Sequence, residues 1–138
     1  MGDDMGAWDT STLGNDVALD TMAELTSASG WKAVERVLDV AAGEVAQDGG
    51  ASDRTASAAL CAAELVAGAL GRPASGVPES MAQWLAQTAP PPPYVLANAR
   101  RITRAVMHES ETRELWLEAG QLDPWLDEVK ALMARLGA

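Results

Sequence analysis

Apolar residues recur every three or four positions in one segment after another along this chain, and no segment reads persuasively as a strand. That period commits a sequence to helices, each with a stripe that must be buried against its neighbours. Scarce β-branched and aromatic runs and abundant alanine favour the same outcome. The 138 residues are the size of one ordinary domain, and 48% of them are hydrophobic, enough for a core. With five Trp, one Tyr and no Phe, that core must be Ala, Leu and Val with tryptophans as large anchors.

The expected fold is all-α: a compact bundle or orthogonal array of about seven helices with an irregular N-terminal arm. Residues 1–14 lack periodicity and form the arm, with Trp8 as its anchor on the core; residues 15–138 form a single all-α domain. Asn15 is a good N-cap for a first helix, where Val17, Ala18, Thr21, Met22 and Leu25 share a face and Ser29-Gly30 is a stop. A second helix over 31–46 carries Trp31, Val34, Val37, Leu38, Ala41, Ala42 and Val45. Ser52 or Asp53 caps a third, which reaches Leu70 before a glycine cap at Gly71. Its apolar density predicts a largely buried helix. Pro78 suits the first turn of a short fourth helix bearing Met81, Trp84 and Leu85. The prolines at 90–93 form a stiff connector that directs a fifth helix over 94–107, with Val95, Ala99, Ile102 and Val106 on one face. Ser110 caps a sixth, expected to turn Leu115, Trp116 and Ala119 inward. Asp123-Pro124 opens the last as N-cap and first helical residue, and Trp125, Leu126, Val129, Leu132, Met133 and Leu136 form its stripe. Trp8, Trp84, Trp116 and Trp125 are the expected structural anchors.

The formal charge is −10, and its placement is uneven: residues 1–31 hold six acids and neither Lys nor Arg. Such a chain repels nucleic-acid phosphates and attracts basic proteins. Cys61 is the only cysteine, so no intrachain disulfide forms and a reducing compartment fits. The N-terminus is acidic where a secretory signal is basic. The longest apolar stretch, 56–70, is broken by Ser57 and Glu64 and is too short to span a bilayer. The expected location is cytoplasmic, away from the membrane.

His108 is the single histidine, which excludes sites built on several histidines; near a helix end it complements the dipole. Cys61, inside an Ala-rich helix, reads as a small core residue. Phosphate-cradling glycine loops, zinc-spaced Cys/His sets and nucleophile elbows are missing from the sequence, so no catalytic residue, metal or cofactor is assigned. Two carboxylate features remain. Asp16, Asp20 and Glu24 are spaced by four and stack as one acidic stripe on the first helix. The stripe is a solvated face, a set of ion pairs with Arg100, Arg101 and Arg104, a docking surface for a basic partner, or a divalent-metal site. Glu64 sits among apolar neighbours, where a carboxylate needs a partner; an arginine pair is expected, and a functional buried acid is the alternative.

Met5-Gly6-Ala7-Trp8, then Asn15-Asp16 and Val17-Ala18-Leu19-Asp20, resemble the opening of a bacterial family known as domain of unknown function 4259. Ala62-Ala63-Glu64-Leu65-Val66-Ala67 with Gly71-Arg72-Pro73 resembles its central helix and turn. Ser110-Glu111, Glu114-Leu115-Trp116, Glu118 and Trp125 resemble its C-terminal part. Asp9 stands where that pattern has glycine and Leu13 where it has an aromatic residue, and Met1 to Asp4 precede its usual start. The resemblance implies a bacterial cytosolic setting and carries no activity with it. Three functions compete on the sequence: a non-enzymatic protein that binds a basic protein partner, for example an immunity protein against a toxin; a small enzyme or ligand-binding domain using Glu64 or the stripe; and a structural homo-oligomer subunit.

Overall fold

A computed structural model describes residues 10–137, so the Trp8 anchor lies outside the described residues. Seven helices are present among these residues: α1 (Asp16–Ser27), α2 (Lys32–Asp48), α3 (Asp53–Ala69), α4 (Glu79–Gln87), α5 (Pro93–His108), α6 (Glu111–Glu118) and α7 (Leu122–Arg135). The fold is all-α. One isolated parallel bridge joins Ala51 to Ser110, and no strand occurs among the described residues.

The architecture is organised around α3, which packs against all six other helices. From Ala56 to Ala67 this helix has no wet side, because only Ala58 in that stretch escapes full burial. A helix apolar on every side belongs at the centre of a fold. Its alanines keep the surface smooth enough for neighbours on all sides, and Gly68 extends that close approach to α4. A Cβ at Gly68 would lie 2.7 Å from Leu85 Cδ1 and 3.1 Å from Met81 Cε.

Where a side chain can cap a helix, it does. Asn15 Oδ1 accepts from the Ala18 N–H at 2.8 Å, Ser52 Oγ from Thr55 at 3.3 Å and Ser110 Oγ from Arg113 at 3.1 Å. Gly49 (φ 77°) and Gly71 (φ 83°) take the left-handed conformation just past α2 and α3, which L side chains rarely adopt. Three starts differ from the sequence reading. Trp31 stands at the N-cap of α2 rather than inside it, Pro78 is the N-cap of α4, and α7 begins at Leu122 with Gln121 as its cap. Pro124 is therefore third in α7, still among the positions whose N–H has no partner within the helix.

α6 corrects a larger expectation. Leu115 is 46% exposed and Ala119 is also exposed, while Trp116 is half-buried; the one buried residue of the helix is Thr112. Hydrogen bonds at its first turn orient this helix. The Thr112 hydroxyl donates to Asp53 Oδ1 at 2.5 Å, and Glu111 Oε1 accepts from the Asp53 N–H at 2.7 Å. With eight residues docked by polar groups at one end, α6 has no need of an inward stripe. Trp84 and Trp125 are buried.

Candidate functional site

The three stripe residues lie on the outer face of α1, and all three are exposed. The opposite face carries Ala18, Met22 and Leu25 into the core, so packing fixes the direction in which the acids point. None of them pairs with the arginines proposed from the sequence. Arg100 Nε donates to the Leu136 carbonyl at 2.8 Å, Arg101 donates to Asn98 Oδ1 at 2.9 Å, and Arg104 is exposed. The two ion pairs among the described residues are Arg113–Glu114 at 3.8 Å and Arg135–Glu64 at 2.7 Å. No group of three potential metal ligands is assembled among the described residues.

Glu64 is elsewhere, inside α3, with its side chain wholly buried. Arg135 at the end of α7 grips it with two parallel bonds, Nη1 to Oε1 at 2.7 Å and Nη2 to Oε2 at 3.1 Å. Such forked pairs fix both planes as well as the charge. The Thr12 hydroxyl donates to Oε2 from the segment before α1. Arg135 also reaches the Arg72 carbonyl at 3.4 Å, and Arg72 returns a bond to the Arg135 carbonyl at 3.1 Å. The bond to Glu64 raises the Arg135 pKa above its ordinary value, outweighing partial burial. One carboxylate thus ties the middle of the core to the last helix and to the segment preceding the first. Both oxygens are occupied and neither faces solvent, so Glu64 has no open position for a substrate. The sequence does not single out Arg135 or Thr12; they lie 71 and 52 residues from Glu64, beyond any local spacing rule.

Cys61 is buried one turn before Glu64 and donates to the Ala18 carbonyl at 3.3 Å. Burial first, and the Glu64 charge second, push its thiol pKa up to about 12, so it stays protonated and unreactive at neutral pH.

A cleft of about 780 Å³ separates the end of α2 from α6 and is lined by Glu44, Asp48, His108, Glu109, Glu111 and Glu114, among others. Two of these acids serve the fold. Glu111 binds the start of α3 as described, and Glu44 accepts from the Ser52 N–H at 2.8 Å and the Thr55 hydroxyl at 2.7 Å. The backbone bond from Ser52, then the Thr55 bond, lower the Glu44 pKa from 4.5. A lowered carboxylate contributes stability that is present above its unfolded pKa and lost as pH falls through the folded one. Melting temperature should therefore drop below about pH 4.5, and Glu44→Gln should show a smaller acid-induced drop than the wild type. An equal drop in both would remove Glu44 from the acid response.

Among the described residues, seven helices built on a central one, a glutamate–arginine pair whose carboxylate is wholly buried, and an acidic face without an ion pair are what fold and site define. The chain matches the family model described as Domain of unknown function (DUF4259) over residues 6–128, and it belongs to that family. No curated protein and no solved structure matches it. No helix among the described residues is long and apolar enough to cross a membrane.

Proposed function

We propose that this chain is a non-enzymatic interaction protein of the bacterial cytoplasm that docks a basic protein partner on the outer face of α1. The observation that carries this reading is the exposure of Asp16, Asp20 and Glu24 with no ion pair to any of them among the described residues. Stacked like charges cost a helix a few tenths of a kcal/mol per pair, on the order of 0.2–0.5; the N-terminus of α1 eases this for Asp16 and leaves it at Asp20 and Glu24. A partner's Lys and Arg would relieve that repulsion and speed encounter. Neutralising a basic toxin, such as a nuclease, is one form of docking that a net charge of −10 would serve. The part of the enzymatic alternative that rests on Glu64 loses support because both of its oxygens are occupied; the part that rests on the stripe is decided by the test below. The homo-oligomer alternative has less behind it, because the exposed large apolar residues Leu19, Val40, Tyr94, Leu115 and Leu117 are divided among α1, α2, α5 and α6.

The test is to cross-link the tagged protein in its native host, purify the captured partner and measure association at several salt concentrations. Asp16→Lys with Asp20→Lys should slow association by about tenfold or more and flatten its salt dependence. Melting temperature should fall only slightly, because Asp16→Lys at the start of α1 opposes the helix dipole by about 0.3–1 kcal/mol and the exposed Asp20→Lys costs within about 0.5 kcal/mol. Unchanged association kinetics with an early-melting double variant would make the stripe internal scaffolding. Tight uptake of a divalent ion by the stripe in calorimetry would replace docking with metal binding.

A further inference from the structure

Both α1 and α2 pack on α3, and between them they leave a groove of about 210 Å³. Val17 and Glu24 of α1, Val37 and Val40 of α2, and Ala58 and Arg54 of α3 line it. Val17 and Glu24 share one face of α1, about two turns apart. Asp16 and Asp20 stand on the adjoining outer strip of the same helix, which places the acidic stripe along the groove's edge. Val40 on the facing wall is 57% exposed, a branched apolar side chain held in water. The Thr55 hydroxyl beside Ala58 is bonded to Glu44, so this polar group makes no demand on an occupant.

The volume is below the roughly 300–1,000 Å³ of a small-molecule site. It suits one or two aliphatic side chains. A mainly apolar floor, interrupted by the buried Thr21 of α1, beside a line of carboxylates without ion pairs among the described residues is the complement of a helix with one aliphatic and one basic face. Arg54, the base at the rim, has no ion pair among the described residues. The occupant is therefore basic along α1 and neutral or acidic where it passes Arg54. We propose that the groove between α1 and α2 receives the aliphatic face of an amphipathic helix of the partner, whose Lys and Arg meet Asp16, Asp20 and Glu24. This rests on the docking reading above and adds the shape and chemistry of the docked element.

The experiment compares two synthetic leucine–lysine peptides of one composition, the first with leucines at helical spacing and the second scrambled. Binding to the full chain is followed by fluorescence anisotropy, and the footprint by amide chemical shifts. The patterned peptide should bind about tenfold more tightly than the scrambled one, a difference of about 1.4 kcal/mol. Its footprint should follow Val17, Val37 and Val40. Val40→Asp should abolish the preference for the pattern, while Asp20→Lys should weaken both peptides. A footprint elsewhere, or equal binding of both peptides with Val40→Asp inert, overturns the groove and leaves the acidic face standing. If neither peptide binds at low salt, the acidic-face reading falls together with the groove.

Discussion

Replacing Arg135 with methionine should destabilise the chain by about 3–5 kcal/mol, the usual cost of breaking a buried pair by removing one partner. Methionine keeps much of the aliphatic stem and deletes the charge. Glu64 would then sit inside α3 with Thr12 as its remaining hydrogen-bond donor. On the scale of a chain this size the melting temperature should fall by about 10 °C or more. Glu64→Ala should cost less, because the arginine left behind has a side chain 23% exposed and can turn toward water. The asymmetry between the two single variants is the diagnostic, and calorimetry reads it directly. Replacing both at once, Glu64→Leu with Arg135→Met, should recover most of the loss, since a buried pair exchanged for apolar groups is often close to neutral. If Arg135→Met melts with the wild type, or costs less than Glu64→Ala, the pair does not hold α7 to α3 as described. Mild alkali should not reproduce the effect. The raised Arg135 pKa means its contribution is fully present below the guanidinium's unfolded pKa and lost only as pH rises through the folded one.

Much of this fold is legible because its signals are local. Asn15, Ser52 and Ser110 announce helix starts within four residues of the N–H groups they bond, and the buried face of α5 is written as Val95, Ala99, Ile102 and Val106. Local rules misplace the start of α7 because Asp123-Pro124 resembles an N-cap pair, whereas the actual cap, Gln121, makes no side-chain bond that would mark it. They misjudge α6 because its orientation is set by Asp53, 59 residues from Thr112. The same distance barrier hides the site. That Glu64 needs a cation follows from its apolar surroundings, but which of the ten Lys and Arg residues supplies it is a tertiary fact. The acidic stripe is legible as a face; its freedom from Arg100 and Arg101 is not, because those arginines are engaged by Leu136 and Asn98.

Trp84→Ala should cost about 3–5 kcal/mol, the range for deleting a buried tryptophan, and its consequence reaches the proposed groove. Trp31 and Trp84 meet edge to face, with centroids 5.0 Å apart and planes at 84°. Each also donates its indole N–H across the junction between helices. Trp31 bonds the Ala89 carbonyl in the α4–α5 connector at 2.8 Å, and Trp84 bonds the Ala28 carbonyl between α1 and α2 at 2.7 Å. The sequence marks Trp84 as an anchor and reads Trp31 as one stripe residue among several; the structure joins them as a clamp on the turn from α1 to α2. Trp84→Phe keeps one aromatic ring but loses the N–H and part of the indole volume, so it should cost more than the roughly 1 kcal/mol of the hydrogen bond and less than Trp84→Ala. A double-mutant cycle over Trp31→Leu and Trp84→Leu should return a coupling of about 0.5–1.5 kcal/mol beyond area burial. Because the clamped turn fixes how α1 stands against α2, Trp84→Ala should also weaken the patterned peptide more than the scrambled one, although neither indole lines the groove. Additive single variants with peptide discrimination intact would reduce the pair to ordinary core packing and leave the groove geometry to α3 alone.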